Sequence, residues 1–195
     1  MLLPIYIYGH PTLGKPAIDL QPDMKNLQEL LVDMWETMYQ ADGVGLAAPQ
    51  IGLNIRLFVV DATVFAPKDP SCEGFKRVFI NARVVERSTE EIVMPEGCLS
   101  VPGIHEEVSR PCRVVITYRD ETWRERVEEL DGMRARVVQH EYDHIEGRTF
   151  IDRLSPLKRR ILRKRLSSIS AGLFDKAYRV ILPGSKSSAS RRPAP

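Results

Sequence analysis

The sequence lacks the features of a secreted or membrane-spanning protein. Its apolar runs are only a few residues long, far short of the roughly 20 residues that cross a bilayer. The N-terminus has neither the charged start nor the apolar middle of a secretion signal, and three cysteines cannot all pair in disulfides. We therefore expect a cytoplasmic protein without a membrane partner, whose cysteines are free thiols or metal ligands.

Charge is distributed unevenly along the 195 residues. Residues 1–152 contain 16 Lys and Arg against 25 Asp and Glu, a net −9, whereas residues 153–195 contain 12 against one, a net +11, which together give +2. A basic C-terminal part on an acidic body is typical of a protein that contacts a polyanion such as a nucleoprotein surface. A solvated helix end followed by a disordered tail fits the same pattern.

Apolar periodicity predicts an N-terminal helix at residues 24–41 with Asp23 as N-cap, a second helix at 133–147 and a C-terminal helix at 156–169 with Ser155 as cap. Short stretches rich in Val, Ile and Phe predict strands at residues 56–61, 77–86, 91–94, 113–118 and 123–130. The turn-length connections between several of them favour antiparallel pairing.

These elements predict an α+β fold in which small antiparallel sheets pack around the helix at residues 133–147. Residues 1–170 are expected to form one domain. Residues 171–195 are rich in Ser, Arg and Pro towards their end, and we expect a weakly structured or disordered basic tail there.

The second predicted helix contains an HExxH pattern, HEYDH, from His140 to His144. Residues four apart lie on one helix face, so both imidazoles can reach one ion. Glu141 lies about 100° round the helix, where it can accept a proton from a metal-bound water as that water attacks a carbonyl. Two histidines with ordinary hydrogen bonds are the alternative, but two of only four histidines have this spacing.

The third ligand distinguishes the classes of HExxH enzyme. A metzincin protease has a third histidine at the position of Phe150, which cannot bind a metal. A gluzincin protease takes a carboxylate from a later helix, but the only acid after Asp152 is Asp175. A zinc endopeptidase is therefore the weaker interpretation of the pattern.

Cys98 has the most suitable context among the remaining donors. Pro95 and Gly97 interrupt the strand before it and can present a thiolate and a backbone N–H to a cleft. Two imidazoles, one thiolate and one water make a tetrahedral centre with an open position. The anionic sulfur suits Fe²⁺ as well as Zn²⁺.

The other possible donors are His10, His105, Cys72 and Cys112. We interpret His105, in the loop after Cys98, as a surface histidine, with a position facing the cleft as the alternative. Cys112, at the start of a strand, is interpreted as a small core residue. Cys72 lies in the predicted surface loop at residues 62–74 and is expected to be an exposed thiol.

Three stretches together resemble the peptide deformylase family: residues 43–50 (GVGLAAPQ), 96–100 (EGCLS) and 139–144 (QHEYDH). Their order and spacing are similar to those of the family, and the similarity extends over about residues 3–170. The resemblance implies removal of the formyl group from the N-terminal formyl-methionine of new polypeptides, with release of formate. It also implies one divalent metal ion per chain, natively Fe²⁺, with Zn²⁺ or Ni²⁺ able to substitute.

The resemblance assigns roles to individual residues. The metal ligands would be Cys98, His140 and His144. Glu141 would be the general base toward the water that attacks the formyl carbon, and then the acid that protonates the leaving amine. The side-chain amide of Gln50 and the backbone N–H of Leu99 would stabilise the developing oxyanion.

The residues expected to border the substrate are Gly43, Val44, Gly45, Gly97 and Arg136. A backbone without side chains lets an extended peptide pair along it. Arg136 departs from the apolar residue that many deformylases have there, and we expect its stem to pack on substrate while its charge reaches solvent. Glu96 and Arg110 are implied to form an ion pair that holds the Cys98 loop.

The same resemblance implies that the basic helix at residues 156–169 docks on the ribosome, where the substrate emerges; no DNA partner is expected. A ribosome-binding module with a structural metal is a further alternative. Glu141 and Gln50 argue against it, because a structural metal centre needs neither.

Overall fold

The computed structural model of the chain describes residues 1–175 and 177–185. The helices are α1 (Leu27–Gln40), α2 (Gly132–Ile145) and α3 (Pro156–Ser170). The strands are β1 (Ile5–Tyr6), β2 (Gly45–Ala47), β3 (Leu57–Asp61), β4 (Lys76–Arg87), β5 (Glu91–Cys98), β6 (Val101–Pro111), β7 (Arg113–Arg119), β8 (Glu125–Asp131) and β9 (Val180–Ile181). Short 3₁₀ helices lie at Pro11–Gly14, Ala48–Ile51, Thr63–Phe65, Pro70–Cys72 and Phe150–Arg153. No helix among the described residues is long and apolar enough to cross a membrane.

The largest sheet has five strands in the order β2-β3-β4-β7-β8, all antiparallel to their neighbours. β5 and β6 form a separate antiparallel pair, and β1 pairs with β9 in parallel. The mixture of three helices with mainly antiparallel sheets confirms the predicted α+β class.

Both faces of the five-stranded sheet are covered by helices. Phe58 and Val60 of β3 belong to the same apolar cluster as Val138 of α2, whereas Val59 packs in a second cluster with Met34 of α1. Successive strand residues point to opposite faces, so β3 contributes to both cores. α2 therefore packs on one face of this sheet and α1 on the other.

A third apolar cluster joins the ends of the chain to β6. Its members include Ile7, Val101, Ile104, Val108, Phe150, Leu162, Leu166 and Ile169. α3 contributes three of these residues, and its predicted cap is confirmed, because the Ser155 hydroxyl accepts a hydrogen bond from Lys158 N at 3.2 Å.

α1 begins later than predicted. The helix starts at Leu27, so the predicted start at residue 24 and the cap at Asp23 are wrong. The residue before it, Asn26, has φ +66°, a left-handed conformation that separates the helix from the preceding turns. Met24 packs against the second apolar cluster, to which Met34 belongs, without being helical. Its apolar side chain therefore fits the periodicity and led to a predicted helix start that is too early.

The predicted strand break before Cys98 is also wrong, and β6 was not predicted. β5 continues through Pro95 to Cys98 and pairs with β6, with Gly97 opposite His105. Proline is tolerated because each strand of a two-stranded sheet has one unpaired edge. β6 buries Ile104, Val108 and Arg110 at the even spacing of one strand face, and only the buried Val101 departs from it.

Two predictions about cysteines are wrong. Cys72 is fully buried, because the segment after β3 folds into two short 3₁₀ helices that bring its thiol beside Phe75 in the main apolar cluster. Cys112 is half-buried between β6 and β7, and its Sγ lies 3.4 Å from the Ser88 hydroxyl, so it is not a core residue.

The described residues after α3 include one short strand and two apolar contacts with the rest of the chain. Val180–Ile181 forms β9 against β1. Phe174 and Leu182 pack against the third apolar cluster. Residues 186–195 of the predicted tail lie outside the described residues.

Candidate metal centre and substrate cleft

α2 is anchored at its start by a distant carboxylate. Asp69 accepts a hydrogen bond from Met133 N at 3.0 Å, which satisfies one of the free N–H groups of the first turn. Asp131, the residue just before the helix, makes no capping hydrogen bond with its side chain in the part of the chain that the structure describes. The segment around Asp69 thus fixes the helix that carries His140, Glu141 and His144.

Cys98, His140 and His144 come together where β5 meets α2. Their ligand atoms all lie within 4.8 Å of one another, and Cys98 Sγ is 3.3 Å from His144 Nε2. A tetrahedral ion would hold one sulfur and one nitrogen ligand about 3.6 Å apart. The cluster therefore fits a divalent metal ion.

Glu96 orients one of these imidazoles. Its Oε2 lies 2.8 Å from His140 Nδ1, so Nδ1 donates to this carboxylate and Nε2 is the nitrogen left to bind a metal ion. A neutral imidazole in this tautomer is the form that binds a metal ion.

The ionisation of Cys98 also suits a ligand. Burial alone would raise the pKa of its thiol, but positive charge on the neighbouring imidazoles and the hydrogen bonds that they donate outweigh burial and lower that pKa to about 5 in the absence of a metal ion. The side chain is therefore a thiolate at neutral pH, which is the form of cysteine that binds metals.

Glu141 presents a buried carboxylate beside the cluster. Within the described part of the chain, no group donates a hydrogen bond to its Oε2. Burial is the largest influence on its pKa and raises it to about 7, although the imidazoles of His140 and His144 act in the opposite direction. A carboxyl group with such a pKa can accept and return a proton near neutrality.

Gln50 lies on the other side of the cluster and is almost completely buried. Its Oε1 accepts a hydrogen bond from Ala47 N at 2.8 Å, which fixes the orientation of the amide and the direction of its Nε2 donor. Nε2 lies 3.3 Å from the Ser100 hydroxyl and 3.6 Å from Cys98 Sγ. The Nε2 donor is thus directed at the turn formed by residues 98–100.

Ten of the eleven predicted site residues line one cavity of about 460 Å³: Gly43, Val44, Gly45, Gln50, Gly97, Cys98, Leu99, Arg136, His140 and Glu141. The remaining one, His144, is fully buried. His105 is exposed as predicted, but it also lines this cavity, opposite Gly97.

The glycines of the cavity allow close approaches. A Cβ on Gly45 would lie 2.7 Å from Cδ of Glu141, and one on Gly97 would lie 2.6 Å from the His105 ring. Because real Cβ atoms do not come this near to other atoms, a side chain at Gly45 would displace the Glu141 carboxylate.

The prediction that the charge of Arg136 reaches solvent is wrong. Its side chain is 4% exposed, and the guanidinium points inward. Nη1 donates to Glu96 Oε1 at 2.7 Å and to Val108 O at 2.9 Å, and Nη2 donates to Ile92 O at 2.6 Å. Because a buried cation needs partners, Arg136 ties both strands of the β5–β6 pair to α2.

The implied ion pair between Glu96 and Arg110 is present and belongs to a larger network. Arg110 donates Nε and Nη2 to the two Glu96 oxygens at 2.5 and 2.8 Å. It also donates Nη1 to Asp143 at 2.7 Å, and Arg153 donates twice to the same carboxylate at 2.6 Å. Sequence reasoning missed Asp143 and Arg153, although an acid beside His144 on a buried helix signals a required partner.

Tyr178 was missed because its segment was expected to be weakly structured. Its hydroxyl donates to the carbonyl of Leu99 at 2.6 Å, and it lines the cavity. Burial and the nearby charge of Cys98 raise the pKa of Tyr178 to about 12, so the phenol stays protonated and acts as a donor at neutral pH.

Comparison with known proteins agrees with these features. Residues 2–160 match the family model described as polypeptide deformylase. A peptide deformylase of Flavobacterium johnsoniae is 47% identical over 193 residues, covering 95% of this chain and 98% of that protein. The peptide deformylase structure of Plasmodium falciparum superposes with a TM-score of 0.77 at 33% identity, over 86% of this chain and 95% of that one. The peptide deformylase structure of Thermotoga maritima superposes with a TM-score of 0.72 at 39% identity, over 80% of this chain and 99% of that one. The chain belongs to the polypeptide deformylase family.

Proposed function

We propose that the protein hydrolyses the N-formyl group of N-formylmethionyl nascent peptides and releases formate, with one divalent metal ion bound per chain. The observation that carries the proposal is the buried Oε2 of Glu141, which has no hydrogen-bond partner among the described residues and lies beside the cluster of Cys98, His140 and His144. A structural metal centre has no need of an unpaired carboxylate, whereas hydrolysis needs a base there.

The proposed ligands are Cys98, His140 and His144. When bound, a divalent cation would lower the pKa of water and polarise the formyl oxygen. We propose Fe²⁺ as the native ion, with Zn²⁺ or Ni²⁺ as substitutes, because one thiolate and two imidazoles suit all three.

Glu141 is the proposed carrier of the proton. Its carboxylate takes a proton from the attacking water as the oxygen bonds to the formyl carbon. It then gives that proton to the nitrogen as the C–N bond breaks, so the products are formate and a free amino terminus. Burial supports this role, since it brings the pKa of Glu141 to about 7.

Gln50 and Leu99 are the proposed donors to the developing oxyanion. Gln50 is suited to this role because Ala47 N holds its Oε1 and directs the Nε2 donor at Cys98 Sγ and the Ser100 hydroxyl, beside the cluster. Donors that are already oriented need no rearrangement when the charge appears.

The peptide chain of the substrate is proposed to lie along β2. This strand is the edge of the five-stranded sheet, and Val44 and Gly45 line the cavity. An extended peptide can add to such an edge by main-chain hydrogen bonds. Gly97 lies across the cavity and leaves room for the peptide on that side.

The ribosome is proposed as a partner through α3, and the cytoplasm as the location. Arg159, Arg160 and Arg163 line a groove of about 810 Å³ beside this helix, and such a cluster favours contact with phosphate groups. Ribosome co-sedimentation unchanged by replacing all three arginines with glutamine would contradict this partner.

One assay separates the proposed reaction from its alternatives. Iron-loaded protein, prepared without oxygen, is incubated with formyl-Met-Ala-Ser and compared with Glu141→Gln. The proposal is supported if the wild type releases formate and the rate of release is at least about 100-fold lower in the variant. Cleavage of internal peptide bonds would indicate an endopeptidase, and neither activity would indicate a binding module.

A further inference from the structure

The segment that follows α3 forms part of the cleft wall. Ala177 and Tyr178 line the same cavity as Cys98 and Glu141. The chain then continues into β9, which pairs with β1. One side of the cleft is therefore built by residues that lie outside the three motifs of the active site.

Tyr178 holds the turn that carries a proposed oxyanion donor. Its hydroxyl donates to the carbonyl oxygen of Leu99 at 2.6 Å. Leu99 directly follows Cys98, and its own N–H is the group proposed to face the substrate oxygen. The N–H and the carbonyl of Leu99 belong to two peptide planes that are joined at its Cα through φ and ψ. Cys98 in the cluster holds the chain before Leu99, so a hydrogen bond that fixes the carbonyl after it limits both rotations and with them the orientation of the N–H.

The next carbonyl along the chain, that of Ser100, is also held by a hydrogen bond. Tyr8 N donates to the carbonyl of Ser100 at 2.8 Å. The carbonyl of Tyr8 in turn accepts a hydrogen bond from the Ser170 hydroxyl at 2.8 Å, and Ile7 N donates to Ile181 O at 3.0 Å. The two ends of the chain thus form one hydrogen-bonded unit that fixes both carbonyls of the turn at residues 99–100.

We infer that Tyr178 is a positioning residue for deformylation, which orients the N–H of Leu99 by holding the Leu99 carbonyl. This inference rests on the proposed function. A donor oriented in advance stabilises charge that appears only in the transition state, so its misorientation lowers kcat and leaves KM nearly unchanged. A residue that only supported folding would instead change the melting temperature without separating kcat from KM.

Tyr178→Phe tests the inference, because it removes the hydroxyl and keeps the ring. Tyr118→Phe is the matched control, since Tyr118 also bonds a partner through its hydroxyl, the Glu128 carboxylate, but does not line the cavity. Both variants are assayed with formyl-Met-Ala-Ser. Exchange of the Leu99 amide proton is followed by NMR in the zinc-loaded proteins.

Tyr178→Phe is expected to lower kcat about three- to tenfold, the effect of one hydrogen bond, with KM within about twofold and faster exchange at Leu99. Tyr118→Phe is expected to keep the wild-type kcat. Wild-type kcat and Leu99 exchange in Tyr178→Phe, or an equal loss in both variants, would overturn the inference. An inactive wild type would contradict the proposed function instead, and Leu99 exchange would still report on the restraint by Tyr178.

Discussion

Nδ1 of His140 lies 2.8 Å from Oε2 of Glu96, a carboxylate that also pairs with two buried arginines, Arg110 and Arg136. The orientation of a proposed metal ligand is therefore coupled to the stability of the protein interior. Loss of a carboxylate that hydrogen-bonds to a metal-binding histidine typically weakens metal affinity about 10- to 100-fold.

Glu96→Gln is expected to weaken Zn²⁺ binding about 10- to 100-fold and to lower the free energy of unfolding by about 3 kcal/mol, because both guanidiniums lose a buried counter-charge. Chelator competition and urea unfolding measure the two effects. Glu129→Gln is the control, since its pair with Arg113 is exposed and contributes at most about 1 kcal/mol. Unchanged metal affinity and stability in Glu96→Gln would contradict the role of the network.

Arg136→Met is expected to destabilise the protein by about 1–3 kcal/mol, because the carbonyls of Ile92 and Val108 lose a buried donor. Urea unfolding checks this value. Arg134→Met serves as the comparison, since its partner at the start of the same helix, the Asp131 carboxylate, is 64% exposed. If Arg136→Met kept full stability and changed only the preference for the first residue of the peptide, Arg136 would be a substrate contact and not a structural link.

Gly45→Ala is expected to reduce kcat/KM at least about tenfold, because the new methyl group forces the Glu141 carboxylate to move and small displacements of reacting groups are costly. Steady-state formate release gives the value. Gly14→Ala is a control, since no described atom lies within 4 Å of its added Cβ and the loss there is expected to be negligible. Wild-type kcat/KM in Gly45→Ala would show that Glu141 does not act from the observed position.

Asp69→Asn is expected to lower stability at pH 7 by about 0.5–1 kcal/mol, through the weakened cap of α2. Hydrogen bonds from Ser71 and from Met133 N lower the pKa of Asp69 below its ordinary value. The carboxylate therefore stabilises the fold above the ordinary pKa of about 4, and this contribution is lost as the pH falls further.

Melting curves from pH 7 to pH 3 are thus expected to show a difference between wild type and Asp69→Asn that shrinks below about pH 4. Asp131→Asn, which removes a carboxylate without a capping hydrogen bond, is expected to give a smaller difference at pH 7. A difference for Asp69→Asn that did not depend on pH would contradict the account of the cap.

Short-range signals in the sequence predicted much of the structure. The HExxH spacing placed His140 and His144 on one helix face, and their rings lie 5.2 Å apart within α2. Ser155 marked the start of α3 correctly. Such features depend on residues within one or two turns of each other, so periodicity and capping preferences are sufficient to find them.

Features that depend on distant partners were not predictable in this way. Arg136 finds its acceptors on β5 and β6, which lie 28 to 44 residues away in sequence. Tyr178 contacts Leu99, and β9, which begins two residues after it, pairs with β1 at the opposite end of the chain. A basic segment with little periodicity gives no sign of such contacts, because the energy that orders it comes from the assembled fold.

Titration of metal-free protein with Fe²⁺ under anaerobic conditions, while formate release from formyl-Met-Ala-Ser is followed, tests the central claim most directly. The rate is expected to rise linearly and to reach its maximum at one equivalent of metal per chain, and Cys98→Ala should stay nearly inactive at that equivalence. Full activity without metal, or wild-type activity of Cys98→Ala at one equivalent, would contradict the claim that Cys98, His140 and His144 form the catalytic metal centre.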